Sequence, residues 1–156
     1  MINLLSYSLE ELPDTILQLL SENNNKGMFP AYRAKQLLEW VYNKGVKKFS
    51  EMTNIPVSLR DTLAEKIAIH PLELSDSFQS KDKEAIKYLF KTEDDKYIES
   101  VRIIHPERNT LCISSMVGCP LGCKFCATSY LDEKRNLSTA EIISQFLFLH
   151  HENPCQ

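Results

Sequence analysis

The chain has 156 residues, 43% of them hydrophobic and 25% charged, with a formal net charge of −3. These are ordinary globular values; they exclude a disordered or low-complexity chain, and the total charge does not advertise nucleic-acid binding. No apolar run approaches the roughly 20 residues needed to cross a bilayer. The N-terminus carries Glu10, Glu11 and Asp14 where a secretory leader would be basic. Five cysteines, an odd number, argue against an exported disulfide scaffold, so the expected setting is cytoplasmic with no membrane partner.

In chain order, Ser8-Leu9-Glu10-Glu11 has the form of a capping box, and Pro13 leaves the helix start open by a turn. Ile16, Leu17, Leu19 and Leu20 follow, and the run from Asn23 to Gly27 ends that segment. A second helix is predicted over 31–44, with Ala34, Leu37, Leu38, Val41 and Tyr42 on one apolar face and Gly45 just past its end. A third is predicted over 57–68 through Leu59, Leu63, Ala64 and Ile67. Together they make a helical module over residues 1–70, a size that folds alone only marginally. Lys26, Arg33, Lys35, Lys44, Lys47 and Lys48 stand against Glu39 alone in its middle. That local excess suits phosphate contact, or is simply a solvated helix face.

Pro71 marks a boundary, after which the apolar period becomes two. Ile86, Tyr88 and Phe90 alternate with Lys87, Leu89 and Lys91, giving a strand over 84–91. Glu93-Asp94-Asp95 supplies the turn and 97–104 the return strand, so residues 71–108 read as a two-strand connector. A further strand over 110–116 would place Cys112, Ser114 and Met116 on one face. Next comes Gly118-Cys119-Pro120-Leu121-Gly122-Cys123-Lys124-Phe125-Cys126, a C-x3-C-x2-C run. Thiolates are the soft anionic ligands that iron–sulfur clusters and zinc both favour. Three from one loop leave one corner of a four-iron cluster open. Alternatively His150, His151 or Cys155 could complete a four-ligand structural zinc site. Gly118 and Gly122 suit a tight loop whose backbone must pass close to inorganic sulfide. Ser138, with Glu141 three residues on, caps a last helix whose expected buried stripe is Ile142, Ile143, Phe146 and Leu147.

The cysteine run, with aromatic Phe125 before its last cysteine, resembles that of the radical S-adenosylmethionine (SAM) enzymes. Residues 110–115 upstream, and Lys134-Arg135-Asn136-Leu137-Ser138 with Glu141-Ile142-Ile143 downstream, resemble the RlmN/Cfr branch. Tyr32-Arg33-Ala34-Lys35-Gln36, Trp40-Val41-Tyr42 and Glu51-Met52-Thr53-Asn54-Ile55-Pro56 are similar to the accessory domain of RlmN. Those enzymes methylate C2 or C8 of an adenosine in 23S ribosomal RNA, and RlmN-type members also modify tRNA.

The resemblance implies a 4Fe-4S cluster on Cys119, Cys123 and Cys126, SAM on its open iron, and Phe125 packed near the SAM adenine. It implies that Cys112 resolves a covalent RNA adduct and that Glu99 handles a proton; alone, Glu99 would read as a solvated strand position. Implied partners are 23S rRNA, tRNA and an electron donor such as flavodoxin. The implied fold is α+β: a small helical accessory domain over 1–70, a β-strand connector over 71–108, and, over 109–156, the first β-loop-α unit of an incomplete radical SAM (β/α) barrel.

The likeness covers nearly the whole chain but less than half of the family's usual length. The Gly-Glu-Pro strand that holds the SAM amino group and the methyl-carrying C-terminal cysteine have no counterpart, Cys155 reading as an incidental terminal residue. Ser129 and Asp132 stand where the family often has glycine. The expectation is a chain inactive alone and complemented by a C-terminal fragment. The competing readings are a non-catalytic RNA-binding adaptor and a structural zinc-binding module.

Overall fold

The structure is a computed structural model that describes residues 2–21 and 30–152. It divides into two compact units, Met1–His70 and Pro71–Gln156.

The first unit opens with a two-residue strand, β1 (Ile2–Asn3), followed by helices α1 (Leu12–Ser21), α2 (Ala31–Tyr42) and α3 (Val57–Lys66) and a second short strand, β2 (Ile67–Ala68). The capping box forms: the Ser8 N–H donates to Glu11 Oε2 at 2.9 Å and the Glu11 N–H to Ser8 Oγ at 3.3 Å. Helix α1 starts directly after it and buries Leu12, Ile16 and Leu20, four residues apart and so on one face. Ala34, Leu37 and Val41 of α2 meet Leu63 of α3 in being buried, whereas Tyr42, expected on the apolar face, is exposed.

Helix α3 is shorter than the expected 57–68. Ile67 turns extended, which lets Ile67 and Ile69 both enter the core with a period of two, and β2 pairs in parallel with β1 through Ile2↔Ile67 and Asn3↔Ala68. The turn expected at 23–27, and Lys26 of the basic stretch, lie outside the described residues.

The second unit is a four-stranded antiparallel sheet, not the expected two-strand connector. Its order is β3 (Leu72–Gln79), β4 (Ala85–Thr92), β5 (Tyr97–His105) and β6 (Arg108–Cys112). Tyr88 and Phe90 from β4 and Ile98 from β5 are buried on one face. They form a core with Val117, Leu137 and Leu149, where Phe148 packs edge-on against Tyr88 at 5.7 Å and Phe90 at 5.1 Å. The other face stays open: Lys87, Glu99 and Cys112 are all exposed on it.

The strand expected over 110–116 breaks in two. It pairs antiparallel with β5 only as far as Cys112, not as an interior strand of a parallel barrel. After three residues, β7 (Met116–Val117) begins and pairs antiparallel with β8 (Arg135–Asn136). Helix α4 (Thr139–Glu152) closes the unit. Its buried positions are Ala140, Glu141, Ser144, Gln145, Leu147 and Leu149, while Phe146 is exposed. The buried stripe is therefore rotated from the expected one and is half polar.

Candidate functional site

β7 and β8 are the two arms of a stem, and the cysteine run lies in the loop between them. Met116 pairs with Asn136 and Val117 with Arg135, and the Leu137 N–H donates to the Ser115 carbonyl at 2.9 Å. Gly118 makes the exit from β7. Its φ is +63°, and a Cβ there would lie 2.6 Å from the Glu133 carbonyl oxygen of the returning arm. The glycine is thus required by the opposite arm of the stem. Gly122, at φ +65°, has open space around it and is required by its backbone conformation alone.

Short-range bonds shape the loop. The Cys126 N–H donates to the Cys123 carbonyl and the Ser129 N–H to the Cys126 carbonyl, both at 3.1 Å. The Ser129 hydroxyl lies 2.7 Å from both of those carbonyls, and the Tyr130 hydroxyl donates to the Lys124 carbonyl at 2.7 Å. Ser129, in the place of a familial glycine, therefore braces the loop.

Cys119, Cys123 and Cys126 are free and half-buried. The Cys126 thiol is held below its ordinary range because the Thr128 N–H and hydroxyl donate to its sulfur, which favours the ligating thiolate. Phe125 is 93% exposed and Leu121 80%, so the loop presents apolar side chains outward. Among the described residues, no three His, Cys, Asp or Glu side chains converge as a metal-binding group. The donor set fits an iron–sulfur cluster in number and softness; to hold one, the loop would have to draw its sulfurs together. His150 stacks on Phe146 and meets His151 edge-on. Neither histidine is gathered with the cysteines, and Cys155 lies outside the described residues.

The strand register sets the remaining candidates. Val101 faces Cys112 across β5 and β6, and Glu99 is two residues along β5, hence on the same face. Glu99 and Cys112 are diagonal neighbours on the open side of the sheet. Glu99 is ion-paired to Lys87 on β4 at 2.9 Å, and Cys112 is exposed and free. Ser114, expected on the face of Cys112, instead turns its backbone to helix α4, and its hydroxyl donates to the Glu99 carbonyl at 2.7 Å.

Sequence reasoning passed over Arg135, Glu141 and Gln145 as site residues. Arg135 donates two bonds to Asp94 (2.9 and 2.6 Å) and two to Glu141 (3.0 and 2.7 Å). Burial pushes the Glu141 carboxyl up, but Arg135 and Ser138 outweigh it and leave it lowered. Asp94 is held well below the carboxylate range, chiefly by Arg135. Polar residues inside a helix carry no hydropathy signal; the pointers to this group were the Ser138–Glu141 capping box and the familial Arg-Asn-Leu-Ser run.

Residues 2–69 match the family described as ribosomal RNA large subunit methyltransferase N-terminal domain. A probable dual-specificity RNA methyltransferase RlmN of Aquifex aeolicus is 47% identical over 142 residues, which are 91% of this chain and 38% of that protein. The corresponding Thermotoga neapolitana protein is 45% identical over 150 residues, 96% of this chain and 41% of its own length. The crystal structure of a radical SAM methyltransferase from Sphaerobacter thermophilus superposes with a TM-score of 0.85 at 34% identity, over 97% of this chain and 42% of that one.

Over nearly its whole length the chain is similar to RlmN proteins. It spans about two fifths of the length of the curated relatives it matches. Within the family frame, residues 2–69 are the RlmN N-terminal domain, and the cysteine loop lies in the part shared with the radical SAM methyltransferase structure. No helix among the described residues is long and apolar enough to cross a membrane.

Proposed function

We propose that this chain carries the cluster loop and part of the catalytic face of an RlmN-type enzyme that methylates C2 of an adenosine in 23S rRNA and in tRNA. The observation that carries the reading is a stem-closed loop of three free thiols that follows a sheet whose open face holds Glu99 on β5 and Cys112 on β6. Cys119, Cys123 and Cys126 would hold a 4Fe-4S cluster. When bound, that cluster supplies an open iron for SAM and the electron for its reductive cleavage.

The chain's own residues bind and orient. Phe125, free of protein contact on most of its surface, offers a ring for the SAM adenine. The Glu99 carboxylate holds or accepts a proton at its Oε atoms and is paired with the Lys87 ammonium at 2.9 Å. The Cys112 thiol faces the same side and is exposed there, where it would help resolve an RNA adduct. Arg33, Lys35 and Lys44 of the first unit contribute cationic groups for the RNA backbone. Electrons come from a flavodoxin-type donor, and the remaining SAM contacts and the methyl-carrying cysteine from a C-terminal complementing segment.

The test is an anaerobic assay of the reconstituted chain with SAM, reductant and 23S rRNA, with and without the C-terminal three-fifths of the Aquifex aeolicus relative. Formation of 2-methyladenosine only in the complemented reaction, abolished by Glu99→Gln or Cys112→Ala, is expected. Complemented turnover unaffected by either substitution would overturn the roles given to these residues, and 8-methyladenosine would overturn the C2 target.

A further inference from the structure

Gln145 is fully buried (0% exposed) in the middle of α4, a costly place for a carboxamide unless every polar atom is met. Its Oε1 accepts from the Ser114 N–H at 2.8 Å and from the Ser100 hydroxyl at 2.7 Å. Its Nε2 donates to the Ser114 carbonyl at 3.0 Å and to the Glu141 carbonyl at 3.2 Å. The side chain therefore pairs with both backbone groups of Ser114, as a neighbouring strand would. That is where the β6–β7 run leaves the sheet, two residues after Cys112 and five before Cys119.

One helical turn earlier on α4, Glu141 (6% exposed) holds Arg135, which lies on the outgoing arm of the same loop. Residues four apart share a helix face. A single face of α4 thus grips the incoming arm through Gln145 and the outgoing arm through Glu141.

We infer that Gln145 and Glu141 form a clasp that fixes both arms of the cysteine loop, and so sets where the three thiolates stand relative to Cys112 and Glu99. They are positioning residues, since neither touches a cysteine. The chain of contacts is explicit: Gln145 holds Ser114, and the Ser114 hydroxyl holds the Glu99 carbonyl. Ser100, the residue after Glu99, is held by the same carboxamide. One side chain therefore references both the proton-handling and the thiol positions to the stem of the loop. The metal-related part of this inference rests on the proposed function; the clasp itself does not.

Two readouts test it on the 156-residue chain with Gln145→Leu, Gln145→Glu and Glu141→Gln. The first is amide hydrogen exchange without metal. Exchange at Ser114, Val117 and Leu137 should accelerate about tenfold or more, the factor for losing one or two buried hydrogen bonds. Tyr88 and Phe90, in the sheet core, should change far less. Gln145→Glu should fall between the parent and Gln145→Leu, because an ionised carboxylate still accepts from the Ser114 N–H and the Ser100 hydroxyl but cannot donate to the Ser114 and Glu141 carbonyls.

The second readout is spectroscopic, in a Cys155→Ser background with a nitroxide on exposed Cys112 and a reduced cluster on the loop. The label-to-cluster distance distribution should be narrow in the parent and broad in the Gln145 variants, at equal iron content. Uniform acceleration across sheet and stem would mean a merely structural residue and overturn the clasp, as would unchanged exchange. A parent chain that retains no iron would remove the proposed function while the exchange result still decides the clasp.

Discussion

Replacing Gly118 with alanine isolates the mechanical basis of the loop. Two costs are legible at this position. A non-glycine residue in the left-handed region, at φ +63°, loses about 1–2 kcal/mol. The added methyl would also stand 2.6 Å from the Glu133 carbonyl oxygen and 3.0 Å from Lys134 Cγ. The carbonyl is backbone of the returning arm and the Cγ lies close to that backbone, so neither can move aside without parting the arms of the stem. Overpacking of this kind costs about 1–3 kcal/mol.

Gly118→Ala should therefore destabilise the stem by roughly 2–5 kcal/mol. Gly122→Ala, at φ +65° with nothing within 4 Å, should cost only the conformational ~1–2 kcal/mol. Hydrogen exchange at Val117 and Leu137 measures the stem directly. The single tryptophan, Trp40, sits in the other unit, so its fluorescence during denaturant unfolding serves as the control that should not move. Equal effects of the two alanines on stem exchange would refute the role given to the opposing arm.

Acid should open the same region. Asp94 and Glu141 both have lowered carboxyl pKa values, so the stability they lend is complete above the ordinary carboxylate range. It is lost as pH falls below about 4, through their folded values; Glu141 dominates because solvent screens the more exposed Asp94. Stem exchange followed from pH 6 to 3, corrected for intrinsic rates, should show this step in the parent and lose most of it in Glu141→Gln. In the first unit, reversing Arg33, Lys35 and Lys44 to glutamate should weaken binding of a 23S rRNA fragment several-fold at low salt and flatten the log–log salt slope. Unchanged affinity in a filter-binding titration would return these cations to the status of a solvated face.

Much of this architecture was readable from residue patterns, and the parts that were not share physical causes. The Ser8–Glu11 and Ser138–Glu141 caps, and the strand alternation of Ile86, Tyr88 and Phe90, are local signals that the structure obeys. Strand β3 was not foreseen because Leu72–Gln79 is an edge strand, mostly exposed, whose alternation of Leu72, Leu74 and Phe78 is interrupted by Asp76. The β1–β2 pairing joins residues far apart in sequence, which no local window contains. The strand over 110–116 looked continuous because its break is imposed from outside, by the Gln145 carboxamide inserting at Ser114.

For the candidate site, spacing alone found the three cysteines, and Glu99 and Cys112 came from the family resemblance. Their common face follows from the β5–β6 register, which depends on the turn between His105 and Arg108. Beyond the Ser138–Glu141 cap the polar face of α4 had no signature, since buried glutamate and glutamine look like solvent-facing residues until their partners are known.

The most direct measurement is iron and acid-labile sulfide per chain after anaerobic reconstitution, alongside zinc, for the parent and four cysteine variants. The parent should hold about four irons and four sulfides, the number of a 4Fe-4S cubane. Cys119→Ala, Cys123→Ala and Cys126→Ala should each lose it, and Cys112→Ala should retain it. One equivalent of zinc with no iron or sulfide in the parent, or loss of iron in Cys112→Ala, would contradict the assignment of the loop as the cluster site.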